Sequence, residues 1–275
     1  MRPIVLVTDS NCDLPAELID RYGIRVVSSL LNIGGQSYRD GVDISRAEFY
    51  ARLPTLNPSP TTAAPASGVF DELYRACGDA DIISIHIASK LSGFFNAARL
   101  GAEASGARVT LIDSEQLSMG FGWQVLAAAE AISAQKSVAE VIDSITHTRQ
   151  RVKVYAALNT LEYLRRSGRA NALVARLGDF LHIKPLVELV GGEVKLMGRQ
   201  RTFSKALDKL IETVQALGPL ERLAILHAHN PEEAHTLVER LAPQSTQAPL
   251  VTEIAAVIGT HVGPGAVGVA AVKHA

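Results

Sequence analysis

An imidazole set among closely spaced glycines, in the run Gly259-Thr260-His261-Val262-Gly263-Pro264-Gly265-Ala266-Val267-Gly268, is the most distinctive chemistry in this sequence. Amides exposed in a glycine-rich turn form a concavity for anions, and a histidine at its mouth adds a neutral or cationic donor. Gly263, Gly265 and Gly268 also spell GxGxxG. A dinucleotide site needs a strand before that motif, a helix after it and an acidic residue about 20 positions on. The sequence given stops at Ala275, so that reading is set aside. A tight hairpin with a satisfied histidine is the plain alternative.

Hydroxyl and carboxyl side chains gather at the ends of expected strands: Thr8-Asp9-Ser10, Ser89 with Ser92, and Asp113-Ser114. In open α/β sheets ligands bind beyond the carboxyl ends of strands. Asp and Ser at such places also cap the next helix, and both roles stay open for Asp9, Ser10, Asp113 and Ser114. Ser92 precedes Gly93 at a helix start, where free amides and the dipole favour an anion. Catalysis with Ser92 as nucleophile and His261 as base is a weaker reading, because no Gly-x-Ser-x-Gly elbow occurs. His227-x-His229, followed by His235, could bind metal, but without neighbouring cysteines or a carboxylate triad satisfied histidines are expected. A Walker-type Gly-Lys-Ser/Thr is absent, which argues against an autonomous P-loop kinase. Arg165, Arg166 and Arg169 suit a helix C-terminus before Gly168. Lys195, Arg199, Arg201 and Lys205 suit a surface for phosphate or an acidic partner.

The elements that must place these residues read as α/β. Strand-like runs at Ile4–Thr8, Arg25–Leu31, Ile82–Ile87 and Val109–Ile112 alternate with helical patterns, the mark of βα units and a mainly parallel sheet. Ser45 with Glu48 and Ser137 with Glu140 fit the capping box. Proline-rich Leu53–Pro65 reads as an ordered loop or linker. A strand at Val152–Leu158 opens a second style, with a hairpin over Ile183–Val190, Gly191-Gly192 and Glu193–Met197. Leu223–His227 then leads to a helix capped by Asn230 with Pro231 at its first position, and Leu250–Val257 and Val267–Val272 close a mixed sheet. Two domains are expected, 1–150 and 151–275.

The 275 residues are 47% hydrophobic and 20% charged, which excludes a disordered, collagen-like or coiled-coil chain. A net charge of -1 provides no global field for nucleic acid or an anionic membrane. Cys12 and Cys77 are too few for a disulfide framework, the start lacks an apolar signal region, and a cytoplasmic location is expected. The apolar stretch Leu117–Ile132 is broken by Gly120, Gly122, Gln124 and Glu130 and is too short to span a bilayer.

Taken in order, several stretches resemble the DegV family, the fatty-acid-binding proteins that serve bacterial fatty acid kinase. They are Thr8-Asp9-Ser10 with Cys12-Asp13-Leu14-Pro15; Ser89-Lys90-Leu91-Ser92-Gly93; Ile112-Asp113-Ser114 with Ser118-Met119-Gly120; Leu161-Glu162-Tyr163-Leu164 with Gly168-Arg169; Ile183-Lys184-Pro185; and Gly259 to Ala266. The resemblance implies a two-domain α/β protein with a lipid tunnel near the domain junction. It implies a long-chain fatty acid as ligand, no cofactor, no catalysis by this chain, and a separate kinase subunit that makes acyl phosphate. Carried over, Thr62, Ser92 and His261 would hold the carboxylate. Gly93, Gly263, Gly265 and Ala266 would offer amides, and Arg169, Arg199 and Arg201 would meet the phosphate or the kinase.

The family's Thr-Ser-Gln-Pro appears here as Thr62-Ala63-Ala64-Pro65, and its Gly-Thr as Gly93-Phe94-Phe95, changes that bear on which acyl chain fits. A regulatory binding protein for another apolar carboxylate is a further alternative. Leu173–Leu181 is a helix-forming stretch that would either shape the tunnel or pack the core.

Overall fold

Along the strand Val152–Ala157 side chains alternate between two environments: Val152 and Val154 join one buried core, Tyr155 and Ala157 another. Val267–Lys273 repeats the pattern, with Ala270 and Val272 in the first core and Val267, Val269 and Ala271 in the second. A period of two with apolar residues on both faces makes a sheet covered on both sides. The computed structural model describes residues 2–168 and 183–274.

That sheet has six strands in the order Glu193–Gln200, Lys184–Val190, Val152–Ala157, Val267–Lys273, Leu220–His227, Leu250–Glu253. Its pairings are antiparallel except the last, which is parallel. Helices Phe203–Gln215 and Pro231–Leu241 bury Leu207, Leu210, Ile211 and Leu237 in the second core. The opposite face looks toward the N-terminal part, and there Trp123 of helix Met119–Ser133 donates from Nε1 to the Ala270 carbonyl at 2.9 Å.

The N-terminal sheet has four parallel strands in the order Arg25–Val27, Ile4–Asp9, Asp81–His86, Arg108–Asp113. Helices Ser67–Arg75 and Phe94–Ser105 follow the βα pattern. The first core runs through residues of both sheets, from Leu6 and Ile83 to Ala224 and Val272. The chain is thus α/β, with a parallel sheet first and a mixed sheet second.

Several local expectations need correction. Arg25–Leu31 is two strands: Arg25–Val27 stays in the parallel sheet, and Leu30–Ile33 leaves it for a three-stranded antiparallel sheet with Gln36–Arg39 and Thr61–Ala63. Thr61–Ala63 falls inside the proline-rich segment, and it is tolerated there because it pairs on one side only. The strand at Leu250 ends at Glu253, and a helix, Ala256–Val262, follows where a longer strand was expected. Small, unbranched Ala255 and Ala256 and the buried amides at that turn allow the change of course. Ser137–Glu140 closes a full capping box, whereas at Ser45 only the serine side is made and Glu48 pairs with Arg52. Asn230 takes the expected N-cap position before Pro231 but makes no side-chain cap bond; its Nδ2 donates instead to the Gly265 carbonyl at 3.0 Å.

Candidate functional site

Helix Ala256–Val262 carries His261 against the edge strand that carries Thr62, and Thr62 Oγ1 lies 3.0 Å from His261 Nε2. The two residues are 199 positions apart in sequence. Both are half-buried, as is Ser92. All three line one cavity, together with Gly93, Asn11, Ser29 and apolar Ala63, Ala64, Phe94 and Ile87. The space between its walls, open mouth included, is about 760 Å³. Of the two departures from the family pattern, the alanines and Phe94 are in this wall, while Phe95 is not.

A second cavity of about 660 Å³ adjoins the first. Its wall includes Val154, Ala156, Leu226, Ala228, Ala266 and Gly268. Leu117, Leu164, Val194, Ile258 and Val262 line both cavities, so the two lie side by side between largely apolar walls. His227 is in the second wall, and burial, helped by His229 and Arg46, pushes it below the ordinary histidine range against the pull of Glu253. It therefore adds little charge to an apolar space.

Thr62 and His261 also face outward. On their other side lies a polar cleft with Ser59, Thr61, Tyr163, Arg166, Ser167 and Thr260. The pair is therefore shared by an apolar cavity and a hydroxyl-rich cleft.

Two of the amides expected from the glycine turn are already in use. Gly263 donates to Gly259 and Gly265 to Ala228, each at 2.8 Å. Neither lines the cavity of Thr62, and Ala266 lines the second cavity instead. The glycines serve shape: Gly263 has φ +76 and lies so close to the Tyr163 ring that a side chain would strike it. Gly93 does line the head cavity. Arg199 and Arg201 are exposed at the end of an edge strand and line neither cavity. Arg169 and the stretch Leu173–Leu181 lie outside the described residues.

His227 and His229 turn to different partners. His227 Nδ1 accepts from the Asn230 amide at 3.3 Å, and His229 Nδ1 meets Glu253 at 3.2 Å. Among the described residues no group of three or more His, Cys, Asp or Glu is arranged to hold a metal. The Nε2 of His261 meets the Thr62 hydroxyl at 3.0 Å.

A Ser–His–Asp sequence of contacts does occur elsewhere: Ser84 Oγ is 2.8 Å from His86 Nε2, and His86 Nδ1 is 3.0 Å from Asp9 Oδ2. All three are fully buried, Phe70 and Phe94 pack on the imidazole, and Tyr74 bonds Ser84 at 2.8 Å. A nucleophile needs access to a substrate, and this one faces the sheet core. Its role is to tie strand ends, since Asp9 also accepts from the Ile87 and Asn11 amides.

Sequence reasoning met Asp13 only within the family resemblance and gave it no role; it is a fully buried carboxylate paired with Arg46 at 3.1 Å. Burial pushes its carboxyl up to about 6, against the opposite pull of Arg46, Ser118 and the Ala255 amide. In this window the folded protein binds the proton more tightly than the unfolded chain, so the contribution of Asp13 raises stability as pH falls from about 6 toward 4 and is lost as pH rises. Asp13→Asn is expected to remove that slope, on the order of 2 kcal/mol over the window. Denaturant melts of both proteins at pH about 4.5 and 6.5 check it; parallel profiles in the two proteins would be the opposite result.

A family model described as "Uncharacterised protein, DegV family" matches residues 3–274. The chain belongs to the DegV family. A DegV domain-containing protein of Deinococcus radiodurans is 36% identical over 273 residues, 97% of each chain. One of Streptomyces coelicolor is 34% identical over 275 residues, 98% of each. Among solved structures, a DegV family protein from Thermus thermophilus described for its fatty acid binding superposes with a TM-score of 0.91 at 34% identity, covering both chains fully. DegV of Bacillus subtilis, described as a fatty acid binding protein, superposes at 0.88 with 29% identity, over 99% of this DegV chain and 100% of its own.

Proposed function

We propose that this DegV chain binds a long-chain fatty acid, with the tail in the two joined cavities and the carboxylate on Thr62, Ser92 and His261. It then presents that carboxylate to a separate ATP-dependent fatty acid kinase for acyl-phosphate formation. The observation that carries the reading is the Thr62–His261 pair, which lines both the apolar cavity and the polar cleft outside it. A head group held there would meet the polar cleft while the tail lies against apolar walls. The fatty acid binding described for the Thermus thermophilus relative supports the ligand class.

The physics agrees with the ligand. Burying about 15 methylenes at ~0.8 kcal/mol each contributes on the order of 12 kcal/mol before the costs of association. A buried carboxylate needs donors, and two hydroxyls and an imidazole are suitable groups. In this reading no residue of the chain breaks a covalent bond; the kinase supplies the chemistry.

The test is mass spectrometry of an organic extract of the purified, denatured protein against an unrelated protein from the same host. A stoichiometric fatty acid is expected. An extract that stays empty after incubation with several free acids overturns the proposal. For the kinase, Arg199→Glu with Arg201→Glu is expected to raise the KM for the lipid-loaded chain about tenfold without emptying it, as loss of charged contacts at a docking rim does. Unchanged kinase kinetics would remove these arginines from the partner surface.

A further inference from the structure

The chain entering the His261 helix is held by side chains from far earlier in sequence. The Ala255 amide donates to Asp13 Oδ1 at 2.8 Å and the Ala256 amide to Asp40 Oδ1 at 3.3 Å. Tyr50 donates from its hydroxyl to the Ile254 carbonyl at 3.2 Å. Arg46 reaches the Glu253 carbonyl and pairs with Asp13 at 3.1 Å. One turn further on, Gly259 rests so closely on the Tyr50 ring that a side chain would overlap it. The helix is short, Ala256–Val262, and Ala255 before it makes no side-chain cap, so these contacts fix where it starts.

Asp13 is also joined to the cavity wall. Its Oδ2 accepts from Ser118 Oγ at 2.6 Å, and Ser118 lines the second cavity. Both residues sit at positive φ, 53° and 52°. Side-chain-bearing residues occupy that region at a cost and stay there only where their surroundings over-determine it. One buried carboxylate thus meets the head-group helix, the wall of the acyl course and the Arg46 helix at once.

We infer that Asp13, with Arg46 and Tyr50, is a positioning residue for the head-group site: it fixes the start of the His261 helix and thereby the approach of His261 Nε2 to Thr62 Oγ1. This deepens the fatty-acid reading and rests on it. None of these three side chains lines the cavity that holds Thr62, Ser92 and His261, so their influence on a ligand carboxylate runs through the helix. A clamp that merely stabilised the fold would affect all ligands of the cavity alike. A clamp that positions an imidazole affects ligands with a carboxylate more than those without.

The experiment compares hexadecanoic acid with hexadecan-1-ol, bound to the full-length chain, in wild type, Asp13→Asn and Tyr50→Phe. Asp13→Asn is expected to weaken the acid about tenfold and the alcohol less than about twofold, the size of one misplaced hydrogen bond to a charged group. Tyr50→Phe, which removes a single hydroxyl and keeps the ring, is expected to show the same split at about threefold, and it answers the question if Asp13→Asn does not fold. In parallel, the imidazole NMR signals that disappear in His261→Ala are expected to shift in both variants without any ligand. Equal weakening of acid and alcohol, or His261 signals unmoved in both variants, overturns the inference. If wild type binds neither compound, the fatty-acid reading fails, and the His261 signals alone still decide whether the clamp positions the imidazole.

Discussion

Ala156→Phe is expected to lower affinity for hexadecanoic acid about a hundredfold while leaving decanoic acid within about threefold. Ala156 lies on the strand Val152–Ala157, on the face that looks into the second cavity, between Val187 and Gly268 of the neighbouring strands. A phenyl ring there fills space that the far part of a long tail would occupy. Displacing about four methylenes at ~0.8 kcal/mol each forfeits about 3 kcal/mol, or roughly a hundredfold in binding. A short acid ends before that point and keeps its contacts with Leu117, Leu164 and Val262, which both cavities share. Isothermal or displacement titration across a series of chain lengths gives the result directly. Equal loss at every length would mean that the ring disturbs the sheet and not the tail, and no loss at any length would place the tail elsewhere.

The alternation that puts Ala156 on this face was readable in the sequence, since Val152, Val154, Tyr155 and Ala157 follow strand period. So were the parallel first sheet, the Gly191-Gly192 hairpin and the Ser137–Glu140 cap, all of which depend on residues close together in the chain. What was not readable depends on distant pairs. Thr61–Ala63 becomes a strand only because Leu30–Ile33 offers it an edge, and nothing within the proline-rich segment announces that. Helix Ala256–Val262 is too short to show a period and is held by Asp13, Asp40, Arg46 and Tyr50, more than 200 residues away. The glycine turn invited an anion-binding reading because its spacing is right, yet the Gly263 and Gly265 amides face carbonyls of the same chain. Spacing reports which groups are available; only the fold decides which are already occupied.

His261→Ala is expected to separate holding the lipid from presenting it. In the proposed reading the imidazole is one of three side chains that hold the carboxylate, and removing a hydrogen bond to a charged group costs about 1.5–3 kcal/mol, so affinity falls about ten- to a hundredfold. Against a tail contribution on the order of 12 kcal/mol, that loss leaves the protein loaded during purification. Transfer of a phosphoryl group is less forgiving. The reacting oxygen must stand about 3–3.5 Å from its target, and a misplacement of about 1 Å costs about a hundredfold in rate. His261 lines both the cavity and the polar cleft, so in the proposed reading its loss frees the carboxylate where the kinase would meet it. With lipid occupancy measured by native mass spectrometry and phosphate transfer by the cognate kinase followed on fully loaded protein, the expected result is near-complete occupancy with transfer reduced about a hundredfold. Emptying of the pocket would show that the head group, not the tail, holds the ligand. Full transfer would move the presenting role from His261 to Thr62 and Ser92, the two hydroxyls that remain.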